Sequence, residues 1–143
     1  MNPLDIYIKM NKFDQHQGLK LTAKEPGDIQ YEMEITEQHL SSPKTCHGGA
    51  ISGMMDSVIG TTALSLAFTE GNLVSTVEFK INYFKPVYEG DILIGTGTVE
   101  FKGKSLMVAC GKIVKKGSGD LVAMAQGTFN IYPMEKRGFM DFA

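Results

Sequence analysis

Cysteine is scarce in this chain: Cys46 and Cys110 are the only two in 143 residues. They are too few for a disulfide framework and their spacing matches no zinc or redox motif, so reduced thiols in a cytoplasmic protein are expected. Excess charge of either sign is also lacking. A formal net charge of −2 gives no global attraction for nucleic acid or an anionic membrane, although a local basic cluster can still serve a small anionic ligand. No His/Cys/acid cluster has metal-ligand spacing, so neither a metal nor another cofactor is expected. The stretch MNPLDIYIKMNKF carries Asp5 early and has no long apolar core with a small-residue cleavage site, so it does not read as a secretory signal. Internal repeats, low-complexity tracts and linkers are missing too. With 43% hydrophobic residues, one domain over residues 1–143 is expected.

A more local absence is informative. Between Lys44 and Glu70 the only formally charged side chain is Asp56, in the middle of HGGAISGMMDSVIGTTALSLAF. The segment approaches membrane-spanning length, but the central aspartate and many Gly, Ser and Thr residues argue instead for a buried helix. Ile51, Met54, Met55, Val58, Ile59 and Ala63 recur at helical spacing, and Gly71 is a candidate stop. Upstream, Asn2 and Pro3 read as the cap and first turn of a short helix.

Elsewhere the period is two. IQYEMEI alternates from Ile29 to Ile35 after the turn signal Pro26-Gly27-Asp28. In LVSTVEFKINYF, Leu73, Val77, Phe79, Ile81 and Tyr83 are expected to share one face, with Pro86 beyond the end. Strands are also expected at about Ile92–Phe101, Ser105–Lys115 and Leu121–Tyr132, joined by the short connections KGK and KGSGD as an antiparallel meander. One strand, a long apolar helix and four strands predict an α+β domain whose curved sheet covers the helix. The helix is apolar on more than one side, so close wrapping or a second subunit is expected to cover the rest.

On the helix, Gly53, Asp56, Ser57 and Gly60 form a stripe of small residues, which gives a ligand or another backbone room to approach the carboxylate. At its start, Cys46, His47, Gly48 and Gly49 lead into free N–H groups and the positive end of the helix dipole, a place for developing negative charge. Helical rise puts Gly48 roughly 12 Å from Asp56 along the axis, too far for both to act on one carbonyl within a chain. Two antiparallel helices across a two-fold axis would bring one chain's Gly48 near the other's Asp56. Each feature also has a plain structural reading: a core-paired aspartate, a helix-start histidine, glycines for close packing, methionines for filling. No Ser-His-acid arrangement can be assigned.

HGG followed by six residues and Asp resembles the motif of the PaaI-like hotdog-fold acyl-CoA thioesterases. FDQHQGLKLTAKEPGDIQYEMEI, VSTVEFKINYFKPVYEGD, KGKSLMVACGKIV and LVAMAQGTFNI are similar to further parts of that family, covering most of Phe13 to Tyr132. The resemblance implies a hotdog fold, with the long helix wrapped by a curved antiparallel sheet. It also implies homodimers, often tetramers, with acyl-CoA hydrolysed between subunits. Asp56 then takes the place of the catalytic carboxylate, as general base or nucleophile, and Gly48 that of the backbone donor to the thioester carbonyl. His47 and Gly49 shape the helix start, and Thr76 matches a hydroxyl that orients water. Ser41 stands where relatives commonly carry Asn. For the CoA portion, the hairpin residues Lys102, Gly103, Lys104 and Ser105 are candidates, with Tyr83 and Lys85 of NYFKP as additional ones upstream. Met10, Phe13, Met54 and Met55 are candidates to line the acyl pocket. Three other readings stand beside hydrolysis: a non-catalytic acyl-CoA binding module, a hotdog dehydratase, whose His-containing motifs HGG does not resemble, and an interaction scaffold.

Overall fold

Residues 2–137 are described in a computed structural model. Asn2 caps helix α1 (Pro3–Met10) by accepting from the Leu4 and Asp5 N–H groups, as its pairing with Pro3 predicts. A second short helix, α2 (Lys12–Gln17), was not expected. Asn11 caps it and Gly18, left-handed at φ 76°, ends it. Hairpin β1 (Lys20–Glu25) and β2 (Asp28–Glu34) follows, then a 3-10 turn at Glu37–His39 and the long helix α3 (Gly48–Phe68). Strands β3 (Asn72–Tyr83), β4 (Ile92–Lys102), β5 (Leu106–Lys115) and β6 (Leu121–Pro133) complete the order, with a final 3-10 turn at Met134–Arg137.

The six strands form one open sheet in the order β1-β2-β4-β5-β6-β3, every pair antiparallel. It is therefore one strand larger than expected. Strand β1 escaped sequence reading because KLTAKE buries no residue fully and its alternation amounts to Leu21 and Ala23 alone among charged and polar neighbours. The turn Pro26-Gly27-Asp28 joins β1 to β2, with Gly27 at φ 79°. The β4-β5-β6 meander is as expected, while β3 crosses over to the far edge beside β6.

Helix α3 lies on the inner face of this sheet. It is apolar and long enough to cross a membrane, yet 61% of its most apolar stretch is buried inside the fold. Met54, Met55, Val58, Ile59 and Ala63 are wholly buried against Leu93, Met107, Ile113 and Phe129. The approach is close because the facing strands carry glycines. A Cβ on Gly111 would sit 2.7 Å from Ile59 Cγ2, and one on Gly97 would strike Thr62 Oγ1 and come within 3.3 Å of the Val58 carbonyl oxygen.

One alternation fails. Val77 is 59% exposed, because a bulge between Thr76 and Glu78 leaves it unpaired opposite β6. Phe79 and Ile81 beyond the bulge pack on the core, as does Val74 before it, so the inward parity changes at this point. Thr76 is thereby turned toward α3.

Candidate active site

His47 has extended backbone and caps α3, its Nδ1 accepting from the Gly49 N–H at 2.6 Å. The Ala50 N–H goes to the His47 carbonyl. Gly48, in the first turn, has no intrahelical acceptor for its own N–H, so that donor alone of the two glycines stays available. The Tyr83 hydroxyl donates to the Gly48 carbonyl at 3.2 Å. The His47 N–H is tied to the carbonyl of buried His39 at 2.7 Å. His39 in turn accepts from the Thr36 N–H at Nδ1 and therefore donates from Nε2 to the Gln17 carbonyl at 2.8 Å. This histidine, absent from the sequence expectations, fastens the loop before α3 to α2. Ser41 lies exposed in that loop, with its N–H bonded to the Thr45 carbonyl.

Asp56 is half-buried on α3, and its Oδ1 accepts from Thr76 Oγ1 at 3.0 Å. It borders a cavity of about 170 Å³, together with Tyr7, Gly60, Leu64, Val74 and Phe129. Ser57, Ser75 and Thr76 complete its walls. Met54 and Met55 are core residues and Met10 packs in a separate cluster with Ile6 and Met134, so the sulfurs do not line this space. Phe13 covers Gly53 instead: a Cβ there would meet its ring at 2.8 Å. A larger hollow of about 870 Å³ lies on the opposite face of the sheet, around Glu78, Lys80, Glu100 and Lys112, and holds none of the motif residues.

The small-residue stripe of α3 is thus partly roofed by the N-terminal helices. Behind Asp56 lies a second carboxylate, Asp14 of α2, only 7% exposed. Its Oδ1 accepts from Ser57 Oγ at 2.6 Å and its Oδ2 from the Tyr31 hydroxyl at 3.0 Å. Since Tyr31 donates to Asp14, Thr61 Oγ1, 2.9 Å away, donates to Tyr31. Burial raises the Asp14 carboxyl above the usual range; the Ser57 and Tyr31 bonds oppose this and the Asp56 charge adds to it. Tyr7 is pushed up to about 12 by burial, reinforced by the Asp14 and Asp56 charges, so it presents a protonated hydroxyl at neutral pH.

The hairpin residues lie near the other end of α3. Lys102 Nζ is paired with Glu70 Oε1 at 2.6 Å, and the Gly103 N–H is occupied by the Leu106 carbonyl at 2.8 Å. Lys104 and Ser105 are exposed. Tyr83 belongs with Gly48 rather than with this hairpin, and Lys85 pairs with Asp120. Within one chain, then, Asp56 and Thr76 are brought together, while Gly48 and the hairpin stand toward opposite ends of the helix. Among the described residues no group of three His, Cys, Asp or Glu is placed to hold a metal ion.

A long helix laid on an antiparallel sheet, with an acid in mid-helix, defines a PaaI-like hotdog architecture. The Thioesterase superfamily model matches residues 43–122, and the chain belongs to that family, whose enzymes are thioester hydrolases. It is 30% identical to human acyl-coenzyme A thioesterase 13 over 121 residues, 84% of this chain and 85% of that one. The solved Escherichia coli PaaI protein from the phenylacetic acid degradation operon superposes with a TM-score of 0.84 at 22% identity, covering 91% of each chain. A hypothetical thioesterase of Streptococcus pneumoniae solved with coenzyme A gives a TM-score of 0.73 at 22% identity, over 80% of this chain and 89% of that one.

Proposed function

We propose that the chain hydrolyses acyl-CoA thioesters to a carboxylic acid and free CoA, with Asp56 of one subunit and the Gly48 N–H of a second subunit serving one site. The observation that carries this reading is the Asp56–Thr76 pair at the edge of a cavity, on the helix that begins with a free N–H. The relatives named above support the substrate class. Solved variants of the streptococcal thioesterase replace an aspartate and a threonine by alanine, the same two residue types.

Thr76 donates to Oδ1, leaving Oδ2 to take a proton and the Thr76 oxygen to accept from water. That arrangement favours general-base catalysis: Asp56 removes a proton as water oxygen bonds to the carbonyl carbon. The carbonyl oxygen gains negative charge, which the Gly48 N–H and the helix dipole stabilise. Collapse breaks the C–S bond, and the proton passes to the departing thiolate. A dimer is required because α3 is one unbroken helix and keeps its own Gly48 roughly 12 Å from Asp56. The β3 edge offers the means of association: its outer side is unpaired in the sheet order, and Ser75–Glu78 are exposed. The hairpin at Lys102–Ser105 supplies the cationic surface for the CoA phosphates, Lys102 exchanging Glu70 for phosphate and Lys104 already exposed.

Thiol release across short, long and aromatic acyl-CoAs tests the activity, with Asp56→Asn expected to lose at least about a hundredfold in kcat. Gly48→Pro removes the N–H at a helix position where proline is tolerated. Neither variant should be active alone. Mixed and re-associated, they should recover about a quarter of wild-type activity, the share of sites that are intact when half the dimers are hybrid. No recovery would overturn the shared site; saturable acyl-CoA binding without thiol release by the wild type would favour the binding-module reading.

A further inference from the structure

We propose that Asp14 is a positioning residue of this site, a second carboxylate that acts on Asp56 through Ser57 and fixes the N-terminal helices as its wall. The inference rests on the catalytic reading of Asp56. Four observations meet here. Asp14 is 7% exposed, bonded to Ser57 at 2.6 Å, next in sequence to Asp56, and fed by an ordered chain of donors from Thr61 through Tyr31. The same helix pair brings Tyr7 into the cavity that Asp56 borders.

A buried charge costs several kcal/mol to desolvate, and a neutral pair of similar size would hold α2 to α3 without that cost. What a neutral amide in its place would not supply is two side-chain acceptors for the two donors, Ser57 and Tyr31. The titratable groups around Asp14 are Tyr7 on α1, Tyr31 on β2 and Asp56 on α3. Both tyrosines are held protonated by burial, so Asp56 is the neighbour whose charge opposes that of Asp14. Asp14 holds its two donors, Ser57 and Tyr31, in place without touching substrate. Through Ser57 it also fixes the rotation of the α3 face carrying Asp56, and an error of about 1 Å in that placement costs up to roughly a hundredfold in rate.

The experiment compares wild type, Asp14→Asn, Ser57→Ala and Tyr31→Phe in the intact protein by kcat, KM and melting temperature. Asp14→Asn is isosteric but leaves one side-chain acceptor for the two donors Ser57 and Tyr31, so kcat is expected to fall about tenfold or more with little change in KM. Ser57→Ala breaks the same link from the other side and should lower kcat with KM near wild type. Tyr31→Phe should lower the melting temperature with a smaller loss of kcat than Ser57→Ala. If Asp14→Asn loses stability but keeps the kcat of wild type, the proposal is wrong. Should that variant not fold, an unchanged kcat in Ser57→Ala overturns the proposal, and a lowered one supports it. An active Asp56→Asn would instead remove the reading of Asp56 itself, whatever Asp14 does.

Discussion

Thr76 reaches Asp56, 3.0 Å from hydroxyl to carboxylate, because Val77 is bulged out of the β3–β6 ladder. Strict alternation would set residues 77, 79 and 81 on one face and put Thr76 on the other. The extra residue lets the hydroxyl and the apolar residues Phe79 and Ile81 all face α3. Bulges that re-aim a side chain beside a reactive group are a known use of this irregularity.

Replacing Thr76 by Ala removes a hydrogen bond to a charged group and one contact for water. A drop of about tenfold in kcat, with KM near wild type, is expected from steady-state thiol release. Thr76→Ser keeps the hydroxyl and should retain most of the rate. Equal losses in the two variants would mean that the methyl, not the hydroxyl, matters.

Gly97→Ala places a methyl group against Thr62 Oγ1 and the Val58 carbonyl, and the backbone oxygen cannot step aside. Overpacking of this kind costs about 1–3 kcal/mol. Urea denaturation should show a lower midpoint with an unchanged slope. A midpoint equal to wild type would show that α3 can move off the sheet at no cost.

Asp14 also predicts a pH dependence of stability. Its folded-state pKa is raised by burial, so the folded chain binds this proton more readily than the unfolded chain. Stability from this group therefore falls as pH rises through the window between the unfolded and the raised value, and the cost is fully present above it. Relative to Asp14→Asn, wild type should gain stability as pH is lowered through that window. Urea titrations at several pH values measure the difference; a constant offset would contradict it.

Cys46 is 7% exposed, and burial together with the Asp91 charge pushes its thiol up to about 11. Iodoacetamide at neutral pH should leave it unlabelled in the folded protein and label it in denaturant, as read by mass spectrometry of the peptides. Labelling of the native protein at the rate of a free thiol would show that the loop before α3 opens.

Much of this architecture was legible in the sequence. α3 announced itself by helical spacing and the meander by its short glycine-containing connections, and Asn2-Pro3 marked α1 by its capping chemistry. The bulge was not legible, since apolar Val77 fits the inward face by alternation, and only its pairing with β6 shows the extra residue. The site divides in the same way. Asp56, Gly48 and Thr76 are marked by a local motif or an aligned strand. Asp14 and Tyr7 enter the site through contacts tens of residues apart in sequence, and no local pattern distinguishes them from ordinary helix residues. Only where Asp14 is buried, and among which donors, separates it from the chain's other acids.

The roof formed by α1 and α2 changes what counts as the functional unit. The family match begins at residue 43, and every residue of the HGG–Asp motif lies beyond it. A shortened chain starting near there would preserve the motif entire and yet discard Tyr7 from the cavity wall and the partner of Ser57. Trimming or crowding residues 3–17 would therefore unroof the cavity beside Asp56 and at the same stroke strip the buried Leu4 and Ile6 from the two apolar clusters, so chamber and core share the same two helices.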